Sequence, residues 1–356
     1  MVPALPPSFP PNFPWPVIFG CAGETLSAAE RQFFRRVKPT GLILFARNCQ
    51  TPAQVAALVD DFKQVVDAKD PLILIDQEGG RVQRLGPPHW PALPAASRIA
   101  GLAGRDAAAG VEAARLLGRL LAADLVPLGI TVDCAPVLDI LRPETHDIIG
   151  DRSFGAEPEQ VIRLGDALCQ GLLKGGVLPV IKHMPGHGRA RVDTHKELPV
   201  VDAPLDELKL TDFAPFRALS HMPLAMTAHV VFTAADPAAP VTTSRRAVDR
   251  LIRGQIGFGG LLLTDDLGMQ ALQGDMRIRT RDCQRAGCDL VLHCSGDMAE
   301  MEMVAEALSP MQAITAAWLR RAGELRHRSQ SKLPFDRDAG FAQLQNLLGG
   351  NGESGS

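Results

Sequence analysis

Eight short, almost wholly aliphatic runs are spaced along the chain, and each ends in polar or glycine residues. They are Val17–Gly20, Gly41–Ala46, Leu72–Asp76, Ile130–Pro136, Leu178–His183, Leu224–His229, Gly260–Thr264 and Asp289–His293. A strand with one wet face alternates apolar and polar residues. A run that is apolar at every position needs cover on both faces, which is the condition of a parallel sheet under helices. Parallel neighbours also need long crossovers, and a longer segment with helical apolar spacing follows nearly every run. About eight such units predict an α/β fold of the (β/α)8 or TIM-barrel type, with a doubly wound open sheet as the other topology they allow.

The intervening segments carry helix signals. Ser27–Val37 opens with a serine cap and has Glu30 where a capping box needs it. Thr51–Ala68 has Pro52 at its first helical position. Asp106–Leu125, Glu157–Lys174, Leu205–Leu219, Ser244–Gln255 and Met269–Ala286 continue the series, and a last helix is expected near Ala299–Arg326. No shift in composition divides the chain. One catalytic domain is expected over 17–340, after a proline-rich arm at 1–16 and before a flexible tail at 341–356.

Composition narrows the function. Hydrophobic residues are 46% of the 356 and charged residues 22%, ample for a buried core. The net charge of −3 offers no basic footprint for a nucleic acid or an anionic membrane surface, so neither is expected as a partner. The seven cysteines are scattered without a CxxC pair, which argues against a disulfide framework and for a reducing compartment. The first residues, MVPALPPSFPPNFPWP, have neither the basic nor the apolar region of an export signal. A cytoplasmic location is the expectation.

In such a barrel, chemistry sits where strands end. The third run delivers Asp76, Gln77, Glu78, Arg81 and Arg84. The fourth delivers Asp133 and Asp139, with Asp151 and Arg152 in the loop beyond. The fifth is the densest, with Lys182, His183, His187, Asp193 and His195. The sixth ends at His229, the seventh at Asp265 and Asp266, and the eighth at His293. Single polar strand ends mean little, but their agreement marks one face. Plainer roles are expected for some: Asp139 as a helix cap or a support for Arg152, and His229 and His293 as hydrogen-bonded core histidines. The glycines of the GG and GHG stretches suit turns that need positive φ. A Lys182–His183 pair emerging straight from an apolar strand is hard to explain except by function.

Three segments carry a resemblance: LIDQEGGRVQRL (74–85), KHMPGHGRARVDTHKELP (182–199) and LLLTDDLGM (261–269). They resemble glycoside hydrolase family 3, and within it the single-domain bacterial β-N-acetylglucosaminidase (β-N-acetylhexosaminidase) branch. The likeness runs from about Val17 to about Ala322. Met184 stands where that branch usually has an aromatic, an apolar exchange that should alter packing more than chemistry.

The resemblance implies a retaining hydrolase with Asp265 as nucleophile, His195 as acid/base and Asp193 as its partner. It further implies that Asp76, Arg84, Arg152, Lys182 and His183 bind the sugar. No cofactor or metal is implied. The substrate would be a small N-acetylglucosamine glycoside, and the family points to muropeptides, N-acetylglucosamine joined to anhydro-N-acetylmuramic acid, in cell-wall recycling. A histidine acid/base also leaves phosphate open as acceptor, which would make the enzyme a phosphorylase.

Three rivals differ in kind. His183, His187, Asp193 and His195 could be ligands of a metal-dependent hydrolase, although no HxH pair appears. A non-catalytic sugar-binding protein would be expected to lack Asp265 or His195, and both are present. A β-glucosidase of the same family usually brings its acid on a second domain, for which the chain past the eighth unit leaves no room.

Overall fold

The computed structural model describes residues 14–68, 70–190 and 197–349. Each of the eight expected runs forms a strand. They are β1 (Trp15–Phe19), β2 (Pro39–Leu44), β3 (Leu72–Ile75), β4 (Val132–Asp133), β5 (Leu178–Met184), β6 (Leu224–Thr227), β7 (Leu261–Leu263) and β8 (Val291–His293). All seven ladders within this sheet are parallel, and β1 pairs with both β2 and β8. A bridge from Leu263 to Leu290 joins the remaining two edges, so the sheet closes as a barrel rather than staying open.

The alternation along each strand explains why the runs are apolar throughout. Ile18, Ile43, Leu74, Val132, Val180 and Leu292 meet inside the barrel, where they pack with their counterparts from the other strands. Val17, Phe19, Leu42, Ile73 and Ile181 point the other way, into the layer beneath the helices. Both sets are buried, so neither face tolerates a polar residue except at the strand ends.

The helices are α1 (Ala28–Val37), α2 (Pro52–Val66), α3 (Ala96–Arg105), α4 (Ala107–Leu125), α5 (Pro158–Gly175), α6 (Leu205–Leu210), α7 (Ala214–Ala218), α8 (Arg245–Ala247), α9 (Met276–Ala286), α10 (Met298–Ala307), α11 (Ala313–Ser329) and α12 (Arg337–Gly349). The Ser27–Glu30 capping box forms, and Thr51 caps α2 ahead of Pro52. α8 runs on as a π-helical stretch, Val248–Ile256.

Three expected helices are shorter than their apolar spacing suggested. Leu205–Leu219 breaks into α6 and α7, where Pro215 can begin a helix but cannot continue one. Met269–Ala286 starts only at Met276, because Asp275 caps it and Gly274 sits at φ +81°. Ala299–Arg326 divides into α10 and α11 around Pro310. The expected tail from 341 is corrected as far as Gly349, because Phe341, Leu344, Leu347 and Leu348 recur at helical spacing and pack α12 onto the core. Among the described residues, no helix is long and apolar enough to cross a membrane.

Candidate active site

The polar strand ends converge on a cavity of about 300 Å³ at the C-terminal mouth of the barrel. The chain after β3 folds back on itself to serve it. Gln77–Gly79 pairs antiparallel with Val82–Gln83, and Gly80, at φ +59°, makes the turn. The Gln77 side chain fastens the return, its Oε1 accepting from the Arg84 and Leu85 amides at 2.8 and 3.0 Å. Arg84 is thereby set beside Asp76, from which it is eight residues distant in sequence, at 3.2 Å.

Lys182 reaches the same carboxylate from β5. Its ammonium lies 2.8 Å from Asp76 and 2.6 Å from Glu78, with only 2% of the side chain exposed. Glu78 also receives Arg152 in a two-pronged contact, 2.8 Å at each oxygen, while the third guanidinium nitrogen of Arg152 donates to the Ile148 carbonyl. Burial pushes the Asp76 and Glu78 carboxyls up, but Lys182, with Arg84 beside Asp76 and Arg152 beside Glu78, outweighs it. Both acids are held below the usual range. Burial likewise opposes the Lys182 charge, and Asp76 and Glu78 overcome it, so the ammonium persists.

Glu78 was not among the expected sugar-binding residues. Its signal was available, since it stands two residues after Asp76 and therefore on the same side of an extended segment. Asp139 is corrected as well. It caps no helix and makes no hydrogen bond to Arg152, which its charge favours only at a distance. One oxygen lies 2.7 Å from His183 Nδ1, and the other accepts from the His187 amide at 2.7 Å. No local pattern could reveal this, because the partners lie 44 and 48 residues away. Gly188 lets the two loops meet this closely, as a Cβ there would stand 1.8 Å from the Ile140 carbonyl oxygen.

His187 shares the cavity wall, its ring 5.8 Å from that of His183. Burial pushes its imidazole down to about 4, against the pull of Asp139. A folded value below the unfolded 6.5 means that unfolding takes up a proton in between. His187 thus contributes stability fully above about pH 6.5, and this is lost as pH falls towards 4, on the order of 3 kcal/mol. The melting temperature is expected to drop over that window. His187→Gln should flatten the slope, and an unchanged slope would contradict the assignment.

Asp265, two residues past the end of β7, lines the same cavity. Thr264 secures it there, its hydroxyl accepting from the Leu292 amide at 2.9 Å across the barrel seam. One Asp265 oxygen accepts from the Asp266 amide at 2.8 Å. Burial raises this carboxyl, but His183 and His229 outweigh it, so Asp265 is held below its ordinary value and carries its charge. His229 is hydrogen-bonded at both nitrogens, to Thr242 Oγ1 at 2.8 Å and to the Asp266 carbonyl at 3.0 Å. His293 departs from the expectation of a fully bonded core histidine. Its Nε2 meets Ser295 at 3.0 Å, but its buried Nδ1 has no hydrogen-bond partner among the described residues.

Asp76, Arg84, Arg152, Lys182, His183 and Asp265 thus line one cavity. Asp193 and His195 lie outside the described residues, between Ala190 and Glu197. Among the described residues no group of three or more His, Cys, Asp or Glu is placed to hold a metal ion.

A barrel mouth with an ionised acid facing a cation-and-carboxylate wall defines a hydrolase-type site for a small, hydroxyl-rich molecule. The chain is a glycoside hydrolase and belongs to family 3: the model of the "Glycosyl hydrolase family 3 N terminal domain" matches residues 20–322. It is 39% identical over 286 residues to a "Beta-hexosaminidase" of Bordetella avium, covering 79% of this chain and 81% of the relative. A "Beta-hexosaminidase" of Aromatoleum aromaticum is 35% identical over 324 residues, 90% of this chain and 89% of the relative. Among solved structures, NagZ from Neisseria gonorrhoeae in complex with N-trifluoroacetyl-D-glucosamine superposes with a TM-score of 0.84 at 33% identity, covering 94% of this chain and 98% of that one.

Proposed function

We propose that this enzyme is a retaining β-N-acetylhexosaminidase that removes a terminal N-acetylglucosamine through a covalent intermediate on Asp265. The observation that carries the proposal is the half-buried, ionised Asp265, lining the same cavity as the Asp76–Lys182 pair. A carboxylate kept free of protons is ready to attack, and a wall of directed donors and acceptors suits a ring of hydroxyls.

In the first step an Asp265 oxygen forms a bond to the anomeric carbon from its α face as the bond to the leaving oxygen breaks. His195 passes its proton to that oxygen, with Asp193 holding the imidazole. Water then gives a proton back to His195 and displaces Asp265, restoring the β configuration. Asp76 accepts from sugar hydroxyls, while Arg84, Lys182 and His183 donate to them. Arg152 supports Glu78 and the cavity rim. The relatives named hexosaminidases and the acylglucosamine-bound neighbour support the N-acetyl sugar. The finer reading, a muropeptide of N-acetylglucosamine and anhydro-N-acetylmuramic acid cleaved in the cytoplasm, rests on the family resemblance.

The test is turnover of 4-nitrophenyl N-acetyl-β-D-glucosaminide beside the matching glucoside, with chelator, and with and without phosphate. Selective, chelator-resistant and phosphate-independent release of the N-acetyl sugar is expected. Preference for the glucoside, or sugar 1-phosphate as product, would overturn the reading.

A further inference from the structure

Thr227 at the end of β6, His229 two residues beyond it and Thr242 from the short turn at Val241–Thr243 build a hydrogen-bonded chain that leads to Asp266, the residue after the nucleophile. Thr227 Oγ1 lies 2.8 Å from Thr242 Oγ1, Thr242 Oγ1 lies 2.8 Å from His229 Nδ1, and His229 Nε2 lies 3.0 Å from the Asp266 carbonyl oxygen. Both hydroxyl links are buried and the last is partly so, with His229 1% exposed and both threonines fully enclosed.

The direction of each bond follows from what its partners can do. A carbonyl only accepts, so Nε2 carries the ring proton. In the neutral ring Nδ1 must then accept, and the Thr242 hydroxyl donates to it, since its other acceptor, the Ala228 carbonyl, is farther off at 3.2 Å. Thr242 in turn accepts from Thr227. One tautomer satisfies the whole chain, and burial favours this neutral form.

The receiving end is Asp266, which is held from every side. Its carbonyl takes His229, and its side-chain Oδ1 accepts from the Gly268 and Cys294 amides, each at 3.0 Å. Its own amide donates to Asp265 Oδ1 at 2.8 Å. The carbonyl and the amide belong to successive peptide units joined at the Asp266 Cα, so a shift of residue 266 would move the one hydrogen bond, among the described residues, that aims the Asp265 carboxylate.

We infer that His229 is a positioning residue for the nucleophile: locked in its Nε2–H tautomer by Thr242, it anchors the carbonyl of Asp266, the residue whose amide orients Asp265. This rests on the reading of Asp265 as nucleophile. His229 does not touch the sugar in this role, so its loss acts on the attack rather than on binding, and misplacement by about 1 Å can cost roughly 100-fold.

The experiment compares His229→Ala, His229→Gln and Thr242→Val on the activated aryl hexosaminide, with the affinity for N-acetylglucosamine measured alongside. Glutamine places an amide donor near the Nε2 position. His229→Ala is expected to lower kcat about 100-fold with KM and sugar affinity within about threefold, and His229→Gln to recover at least about tenfold of that. Thr242→Val, which removes only the lock, should lie between them and also serves if the alanine variant fails to fold. A kcat for Thr242→Val and His229→Gln equal to that of the parent, with His229→Ala also unimpaired, overturns the role. So does a glutamine variant as slow as the alanine one at parental sugar affinity. Nitrogen-15 shifts of the His229 ring test the anchor without turnover. A Nδ1–H tautomer overturns the anchor alone, whereas an inert parent with the Nε2–H tautomer overturns only the reading of the reaction.

Discussion

Asp265→Ala is expected to lower kcat on the order of 10⁴-fold or more, the scale seen when one member of a covalent catalytic set is removed. The fold should survive, because among the described residues the side chain accepts only the neighbouring Asp266 amide, and Lys182 keeps Asp76 and Glu78 as partners. Added azide provides the sharper readout. With the carboxylate gone, azide can enter the space on the α face, form the bond to the anomeric carbon and expel the leaving group. The product is then an α-glycosyl azide, opposite in configuration to the substrate. Azide rescue with that stereochemistry would identify the missing group as the nucleophile. A soluble variant that kept most of its activity, or a β-configured azide product, would contradict the assignment.

Lys182→Met should damage both activity and stability. The ammonium is shared by Asp76 and Glu78 at 2.8 and 2.6 Å, and methionine replaces it with an uncharged chain of similar length. Buried Glu78 and half-buried Asp76 then keep only Arg84 and Arg152 to balance them. Breaking a buried ion pair in this way typically costs about 3–5 kcal/mol. Activity should fall by a factor on the order of 10²–10³, as expected when the sugar wall loses its central charge.

The pH dependence distinguishes this account from simple loss of packing. In the parent both acids have folded values below their unfolded ones, so their stabilisation is present above about pH 4 and lost as pH falls. In the variant burial pushes both back up, and they bind protons more readily when folded. The stability gap between parent and variant should therefore be wide near pH 7 and narrower near pH 4. A gap of constant width, measured by denaturant unfolding, would mean that the lysine acts through its packing alone.

The boundary of what could be read ahead of the structure runs through particular residues. The eight strands were visible because burial on both faces forces each run to be apolar throughout, a local condition needing no knowledge of partners. The Ser27–Glu30 capping box and Pro52 at a helix start were equally local. So was the gathering of polar residues at strand ends, since parallel strands place all those ends on one face.

Other features depended on partners far away in the chain. The closure through Leu263 and Leu290 separates a barrel from an open sheet, and no residue announces it. α3 follows a stretch of prolines and alanines that offers little helical punctuation, and α12 is held by a core its own residues cannot specify. Asp139 could be seen as an acid at a strand end but not as the orienter of His183, because a carboxylate's task is set by what faces it. The same holds for Glu78 and for His229. The sequence by itself determined which side chains reach the mouth of this barrel, because alternation and strand direction are properties of the local chain. Only the tertiary structure decided which of them touch, because hydrogen bonds of 2.6–3.3 Å between residues 13 to 106 positions apart exist only once the barrel has closed.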